Sequence, residues 1–198
     1  MTTNQPLSLF VSSRMKELVK ERQSIRDFFN RSGLLHYFIA WLWEKDAGAR
    51  PEPIRSTYLK EVEACDIYIG LFWQGYGQYT IDEYRHARAL KKPCLVYQKD
   101  FDIHPRDPQL TSFLHEINKV ENPEGLTVWS FRNHETPEQM AQKIQDDVMH
   151  LLITQFRERR KQPAPTREQG KPTIITKAKD HSIAVHNNQG GTINQTNN

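Results

Sequence analysis

Apolar residues along this chain come in two alternating rhythms. Leu7–Ser12 is a short apolar run closing in small polar residues, the pattern of a strand buried on both faces. Leu18, Val19, Ile25, Phe28 and Phe29 then recur at helical spacing among Lys, Glu and Arg, with Gly33 as the expected stop. Tyr37–Trp43 predicts a second strand, Pro51 and Pro53 a loop, and Tyr58, Leu59 and Val62 a short helix. Ile67–Trp73 is the clearest buried strand; Gly75 and Gly77 break it, and a helix is expected from Thr80. Pro93–Gln98 and Thr127–Phe131 predict two more strands, separated by a helix that carries Leu110, Phe113, Leu114 and Ile117. The last helix opens on Thr136, Pro137 and Gln139, which combine an N-cap, a first-turn proline and a capping-box partner. Its stripe of Met140, Ile144, Val148, Leu151, Leu152 and Phe156 is expected in the core.

Strands alternating with helices predict a parallel sheet covered by helices on both faces. Five of them predict an α/β, flavodoxin-like order 2-1-3-4-5, in which ligands sit beyond the carboxyl ends of strands one and three. That rule brings Ser12–Arg14 beside Trp73–Thr80.

Composition changes the picture mainly at the ends. The chain has 198 residues, only 37% of them apolar, which fits one domain plus an unpacked appendage. The expected divisions are a lead over 1–6, the α/β domain over 7–160, a proline-rich linker over 161–172 and a flexible tail over 173–198. The tail is β-prone and rich in Asn, Gln and Gly, suited to stacking in register with copies of itself. A net charge of +3 with one dense basic run, Arg157–Lys161 at a helix end, predicts no specific nucleic-acid partner. Cys65 and Cys94 lack metal-ligand or disulfide spacing, so no metal is expected and both read as small buried side chains. No apolar stretch approaches membrane-spanning length, so a cytoplasmic protein without a membrane partner is expected.

Candidate chemistry concentrates on Trp73–Glu83. Thr80 with Glu83 fits a capping box, yet the same carboxylate faces the expected cleft beside a loop carrying Trp73, Tyr76 and Tyr79. Aromatic side chains there suit stacking on a planar base, and a carboxylate beside them suits stabilising or attacking an oxocarbenium-like sugar. Ser12, Ser13 and Arg14 are candidates for holding phosphate, against simple capping and solvation. Glu44, past strand two, is a candidate second carboxylate at the cleft. No Gly-x-Gly-x-x-Gly or P-loop supports dehydrogenase or NTPase chemistry.

Several blocks in order resemble a known family: Leu9–Arg22, Tyr58–Gly70, Tyr76-Gly77, Thr80-x-x-Glu83-Tyr84-x-x-Ala87 and Lys92–Val96. They are similar to an uncharacterised TIR-like domain family found at the front of many NACHT- or NLR-type NTPases. The second block and the Thr80–Ala87 element also resemble nucleoside deoxyribosyltransferases and TIR-type NAD nucleosidases. The resemblance implies a catalytic role for Glu83 on an N-glycosidic bond; the residues expected around the substrate from the cleft itself are Ser12, Ser13, Arg14, Trp73, Tyr76, Tyr79 and Glu44. It implies NAD as substrate and no separate cofactor. Where deoxyribosyltransferases place Asp and Gly-Thr, this loop reads Gln78-Tyr79-Thr80, which argues against a free-nucleoside transferase. Ser182–Asn198 is similar in composition to amyloid signalling motifs of bacterial effectors. The combination implies an antiphage immune effector that clusters into an oligomer or filament, partnered through its tail by an NLR/STAND-type sensor. A non-catalytic self-association module and a nucleoside or nucleotide N-glycosidase remain the alternatives.

Overall fold

A computed structural model describes residues 5–161 of the chain, apart from 32, 101–104 and 133. It falls into two units, Met1–Thr154 and Gln155–Asn198, and of the second only the helical residues 155–161 are described. The expected linker and tail lie outside the described residues.

The order of elements is β1 (Leu7–Ser13), α1 (Val19–Phe29), β2 (Phe38–Trp41), α2 (Trp43–Asp46), α3 (Ile54–Ala64) and β3 (Ile67–Phe72). There follow α4 (Gln78–Ala89), β4 (Cys94–Lys99), α5 (Pro108–Ile117), β5 (Val128–Phe131) and α6 (Pro137–Lys161). All neighbouring strands pair in parallel, in the order β2-β1-β3-β4-β5, as expected from the sequence. The sheet reverses its winding between β1 and β3, which pair with Ser12 opposite Gly70.

Strand parity divides the core into two layers. Leu9, Val11, Ile67, Ile69 and Leu71 pack with Ile25 and Phe29 of α1 and with Met140, Ile144 and Val148 of α6. Phe10, Tyr68, Phe72 and Val96 face the other way, onto Val62 of α3, Ile81 and Ala87 of α4 and Leu110 and Phe113 of α5. Strands apolar on both faces are what a sheet covered on both sides requires.

Local chemistry sets most boundaries. Thr136 and Gln139 exchange reciprocal bonds, Gln139 N–H to Thr136 Oγ1 at 3.2 Å and Thr136 N–H to Gln139 Oε1 at 2.8 Å, closing the capping box that starts α6. Asp107 caps α5 by accepting from the Gln109 N–H at 2.8 Å, with Pro108 opening the helix. α4 ends through Lys91 at φ 57, whose left-handed turn lets Lys91 and Lys92 N–H reach the Arg88 and Ala87 carbonyls.

Three expectations need correcting. Helix α1 stops at Phe29, before Gly33, because the Asn30 N–H already closes on Arg26 O at 2.9 Å and the Asn30 side chain turns to β2 to accept from Ala40 N–H. Trp43 begins the short α2 rather than ending β2, since the Asp46 carboxylate accepts from the Leu42 N–H at 2.8 Å and folds the chain back. Phe156 is 62% exposed, so the core stripe of α6 ends with Leu151 and Leu152.

Candidate active site

Beyond the carboxyl ends of β1 and β3 lies a cavity of about 500 Å³. Pleat parity decides what reaches it. Ser12, like Phe10, points to the α4 side, whereas Ser13 points to the α1 side. Ser12 Oγ therefore donates to Glu83 Oε2 on α4, and Ser13 Oγ meets the guanidinium of Arg22 on α1. Glu83 is only 8% exposed. Burial pushes its carboxyl up to about 7; the Ser12 bond opposes that rise and the charge of Asp82 adds to it. Glu83 Oε1 has no hydrogen-bond partner among the described residues, and the side chain lines the cavity. Beneath it, the buried Tyr68 hydroxyl donates to the Thr80 carbonyl at 3.2 Å. Desolvation first, and the nearby Glu83 charge second, hold that phenol well above its ordinary range, so it stays neutral.

Gly70, opposite Ser12 on β3, leaves room for the Tyr68 and Phe72 rings on either side of it. A Cβ there would come within 2.9 Å of the Tyr68 ring and 3.0 Å of the Phe72 ring.

The capping box expected of Thr80 and Glu83 does not form. Helix α4 begins two residues before Thr80, with Gly77 at its N-cap and no side-chain cap. Thr80 is thus inside the first turn, and Glu83 is free of the helix end and bonded across to β1.

Tyr76 and the 61%-exposed Tyr79 line the cavity, as expected. Two aromatic residues that the sequence did not single out join them: Trp43 of α2 and Tyr58 of α3. Their rings meet edge to face, Trp43 to Tyr58 at 6.5 Å and Tyr58 to Tyr79 at 5.7 Å. Asp82 fixes the Tyr58 hydroxyl at 2.7 Å and is itself held by Arg55 Nε at 2.8 Å. Trp73 is not part of this wall. One residue past β3, it has the parity of Ile67, Ile69 and Leu71, so it packs on the α1/α6 side, with Lys99 Nζ 5.0 Å from its ring centroid.

The β1–α1 turn is organised by Arg22, which is 2% exposed. Its Nη1 donates to Ser13 Oγ and to Glu17 O at 2.5 Å, Nη2 to Met15 O at 3.1 Å, and Nε to Glu44 Oε1 at 2.7 Å. Glu44 lines the cavity, as expected, in an ion pair that the sequence did not reveal. Arg14 Nη1 pairs with Glu17 Oε1 at 2.9 Å, and Glu17 also accepts from the Gly75 and Gln74 N–H groups at 3.0 and 3.2 Å. This carboxylate ties the two loops of the cavity together. Ser12, Ser13 and Arg14 thus all have partners within the chain, although Arg14 remains half exposed at the cavity. Lys16 also lines it and makes no ion pair among the described residues. Leu18 closes the turn at φ 53, a strained conformation for a bulky residue and one enriched at functional sites.

Among the described residues no cluster of His, Cys, Asp or Glu suits a metal ion. Burial pushes the Cys65 thiol up to about 11 and the Cys94 thiol up to about 12, so neither is a thiolate near neutral pH. Among the same residues no helix is long and apolar enough to cross a membrane.

Fold and cavity together define an α/β protein with a buried acid, Glu83, lining a cavity at the switch point of a doubly wound sheet. The chain belongs to the family described as Domain of unknown function (DUF4062), whose match spans residues 8–161. No curated protein matches it. Among solved structures it is similar to the CMP N-glycosidase BcmB of Clostridium botulinum, with 16% identity and a TM-score of 0.44, covering 70% of this chain and 97% of that one. It is also similar to a 2-desoxiribosyltransferase from Leishmania mexicana, with 16% identity and a TM-score of 0.38, covering 67% of this chain and 82% of that one. Neither likeness is close enough to transfer a substrate or a mechanism.

Proposed function

We propose that this protein hydrolyses the N-glycosidic bond of a nucleotide, with Glu83 as the catalytic carboxyl. The observation that carries the reading is the placement of Glu83: buried, bonded to Ser12 through one oxygen, and lining a cavity walled by aromatic rings. Breaking a C1′–N bond sends the electron pair to the base and leaves positive charge on the sugar. A carboxylate at the cavity floor stabilises that charge or bonds to C1′; water then supplies the new C1′ oxygen, and the proton it loses goes to a base that departs as an anion, or to solvent where the base departs neutral, as nicotinamide does. In a site shielded from water such stabilisation is far stronger than in solution. Trp43, Tyr58, Tyr76 and Tyr79 offer faces and edges to the base, and Arg14 and Lys16 offer positive charge to a phosphate.

Within nucleotides, NAD is the substrate that the TIR-like motifs imply, cleaved at the nicotinamide–ribose bond. Residues 173–198 fit this reading as a self-association segment, so the assay is run at several protein concentrations. Full-length protein is incubated with NAD, CMP, AMP and the corresponding nucleosides, and released bases are separated by chromatography. Release of a free base, reduced at least about a hundredfold in Glu83→Gln, is the expected outcome. Base release that is equal in both proteins removes Glu83 from the mechanism. No release from any nucleotide at any concentration favours the non-catalytic module.

A further inference from the structure

Glu44 is the second acid of the cavity, and its surroundings differ from those of Glu83. The buried Arg22 holds Glu44 Oε1 through Nε at 2.7 Å. Glu44 Oε2 has no hydrogen-bond partner among the described residues, and the side chain stays 22% exposed at the cavity. Arg22 spends its other N–H groups on Ser13, Arg14, Met15 and Glu17, so it does not swing round to cover both oxygens. A carboxylate fixed in this way is purely an acceptor. It repels phosphate and requires a hydroxyl or an amine. The unpaired cation of the lining, Lys16, sits on the β1–α1 turn, so the anionic and hydrogen-donating parts of a substrate have separate places to go.

We infer that Glu44 accepts a hydrogen bond from the 2′-hydroxyl of a ribose and makes the cavity selective for ribonucleotides over 2′-deoxyribonucleotides. This rests on the N-glycosidase reading, which puts the sugar ring against Glu83. The 2′ carbon adjoins the anomeric carbon at which the bond breaks, so its hydroxyl is the sugar donor nearest the reacting centre. Hydrogen bonds to that hydroxyl strengthen as the ring becomes oxocarbenium-like. In dinucleotide-binding doubly wound sheets an acidic side chain likewise takes the ribose 2′-hydroxyl. A deoxy sugar would leave a partly buried charged acceptor without a partner, which is the situation that gives strong discrimination. The exocyclic amine of a base is the competing donor.

The test is calorimetric titration of the full chain with ribose 5-phosphate and 2-deoxyribose 5-phosphate, which differ only in that hydroxyl. Binding of the ribose form at least about tenfold tighter is expected, as for a hydrogen bond to a charged acceptor. The ratio should collapse toward one in Glu44→Gln. That variant keeps a carbonyl oxygen for Arg22 Nε, so the turn stays held, while it presents an amide N–H to the cavity. Equal binding of the two sugars, binding of neither, or a ratio unchanged in Glu44→Gln overturns the inference. Sugar discrimination that depends on Glu44 in a protein that cleaves no nucleotide leaves this role intact and refutes the catalytic reading of Glu83 instead.

Discussion

A carboxyl group as buried as Glu83 has two ways to lower the cost of its charge: hold its proton, or gain donors. Here both act, since burial raises the pKa to about 7 while the Ser12 hydroxyl pulls it down. Near neutral pH the group is therefore close to half ionised. If the ionised form is the working one, kcat/KM rises with pH through about 7 and then levels off. Ser12→Ala removes the only donor to the carboxylate among the described residues, so the rising limb moves to higher pH and activity at pH 7 falls about tenfold, the worth of a hydrogen bond to a charged acceptor. Ser12→Thr, which keeps the hydroxyl, restores part of the loss. A pH–rate profile of the three proteins decides it, and an unshifted limb in Ser12→Ala removes the positioning role. Glu83, Ser12, Tyr76 and Tyr79 were legible in the sequence because the switch-point rule needs only the strand order. Trp73 was misplaced for lack of a parity count: from Ile67 it falls on the same face as Ile69 and Leu71. Trp43 and Tyr58 carried no such signal, because their meeting depends on how α2 and α3 cross the mouth of the cavity.

The β1–α1 turn shows what a pattern of apolar positions leaves unread. Arg22 stands among Lys20, Glu21 and Gln23, in a run that reads as the solvated side of a helix, yet its guanidinium is inside the protein. There it gathers the carbonyls of Arg14, Met15 and Glu17, a serine hydroxyl and the Glu44 carboxylate. Charged residues enter such places only when every donor finds an acceptor, which no one-dimensional pattern reports. Strand identity and order were legible for the opposite reason: β1 and β3 are buried on both faces, and such strands read directly as short apolar runs. Replacing Arg22 with Met, similar in length but without donors, leaves Glu44 and several carbonyls unpartnered. A loss of about 3–5 kcal/mol in urea unfolding is expected, with weaker sugar-phosphate binding as the turn loosens. A loss below about 1 kcal/mol, within the range of surface substitutions and exposed ion pairs, would mean that the turn holds itself.

At the scale of the whole molecule, Glu83 makes the proposed site a burden on the fold that holds it. Its carboxyl titrates near 4.5 when the chain is unfolded and near 7 when it is folded. Below the first value both states are protonated and the group is neutral to stability. Between the two, the unfolded chain releases a proton that the folded chain keeps, so each step up in pH favours unfolding. Above the second value both are ionised, and the accumulated loss is on the order of 3 kcal/mol. Glu83→Gln keeps an oxygen for the Ser12 hydroxyl but never carries charge, so it lacks this term. The stability of the variant minus that of the native protein is therefore expected to widen from near zero at about pH 4.5 to that plateau above about pH 7.5. Taking the difference cancels Asp82, whose carboxyl is held below its usual range by Arg55 and whose contribution runs the other way. Urea titrations of the two proteins across that interval measure it. A gap independent of pH would mean that water reaches Glu83 freely, and a group so hydrated would lose the strengthened electrostatics on which the proposed chemistry depends. A gap that widens as expected, together with base release abolished in the same variant, would show this one carboxyl trading stability of the fold for reactivity at the switch point.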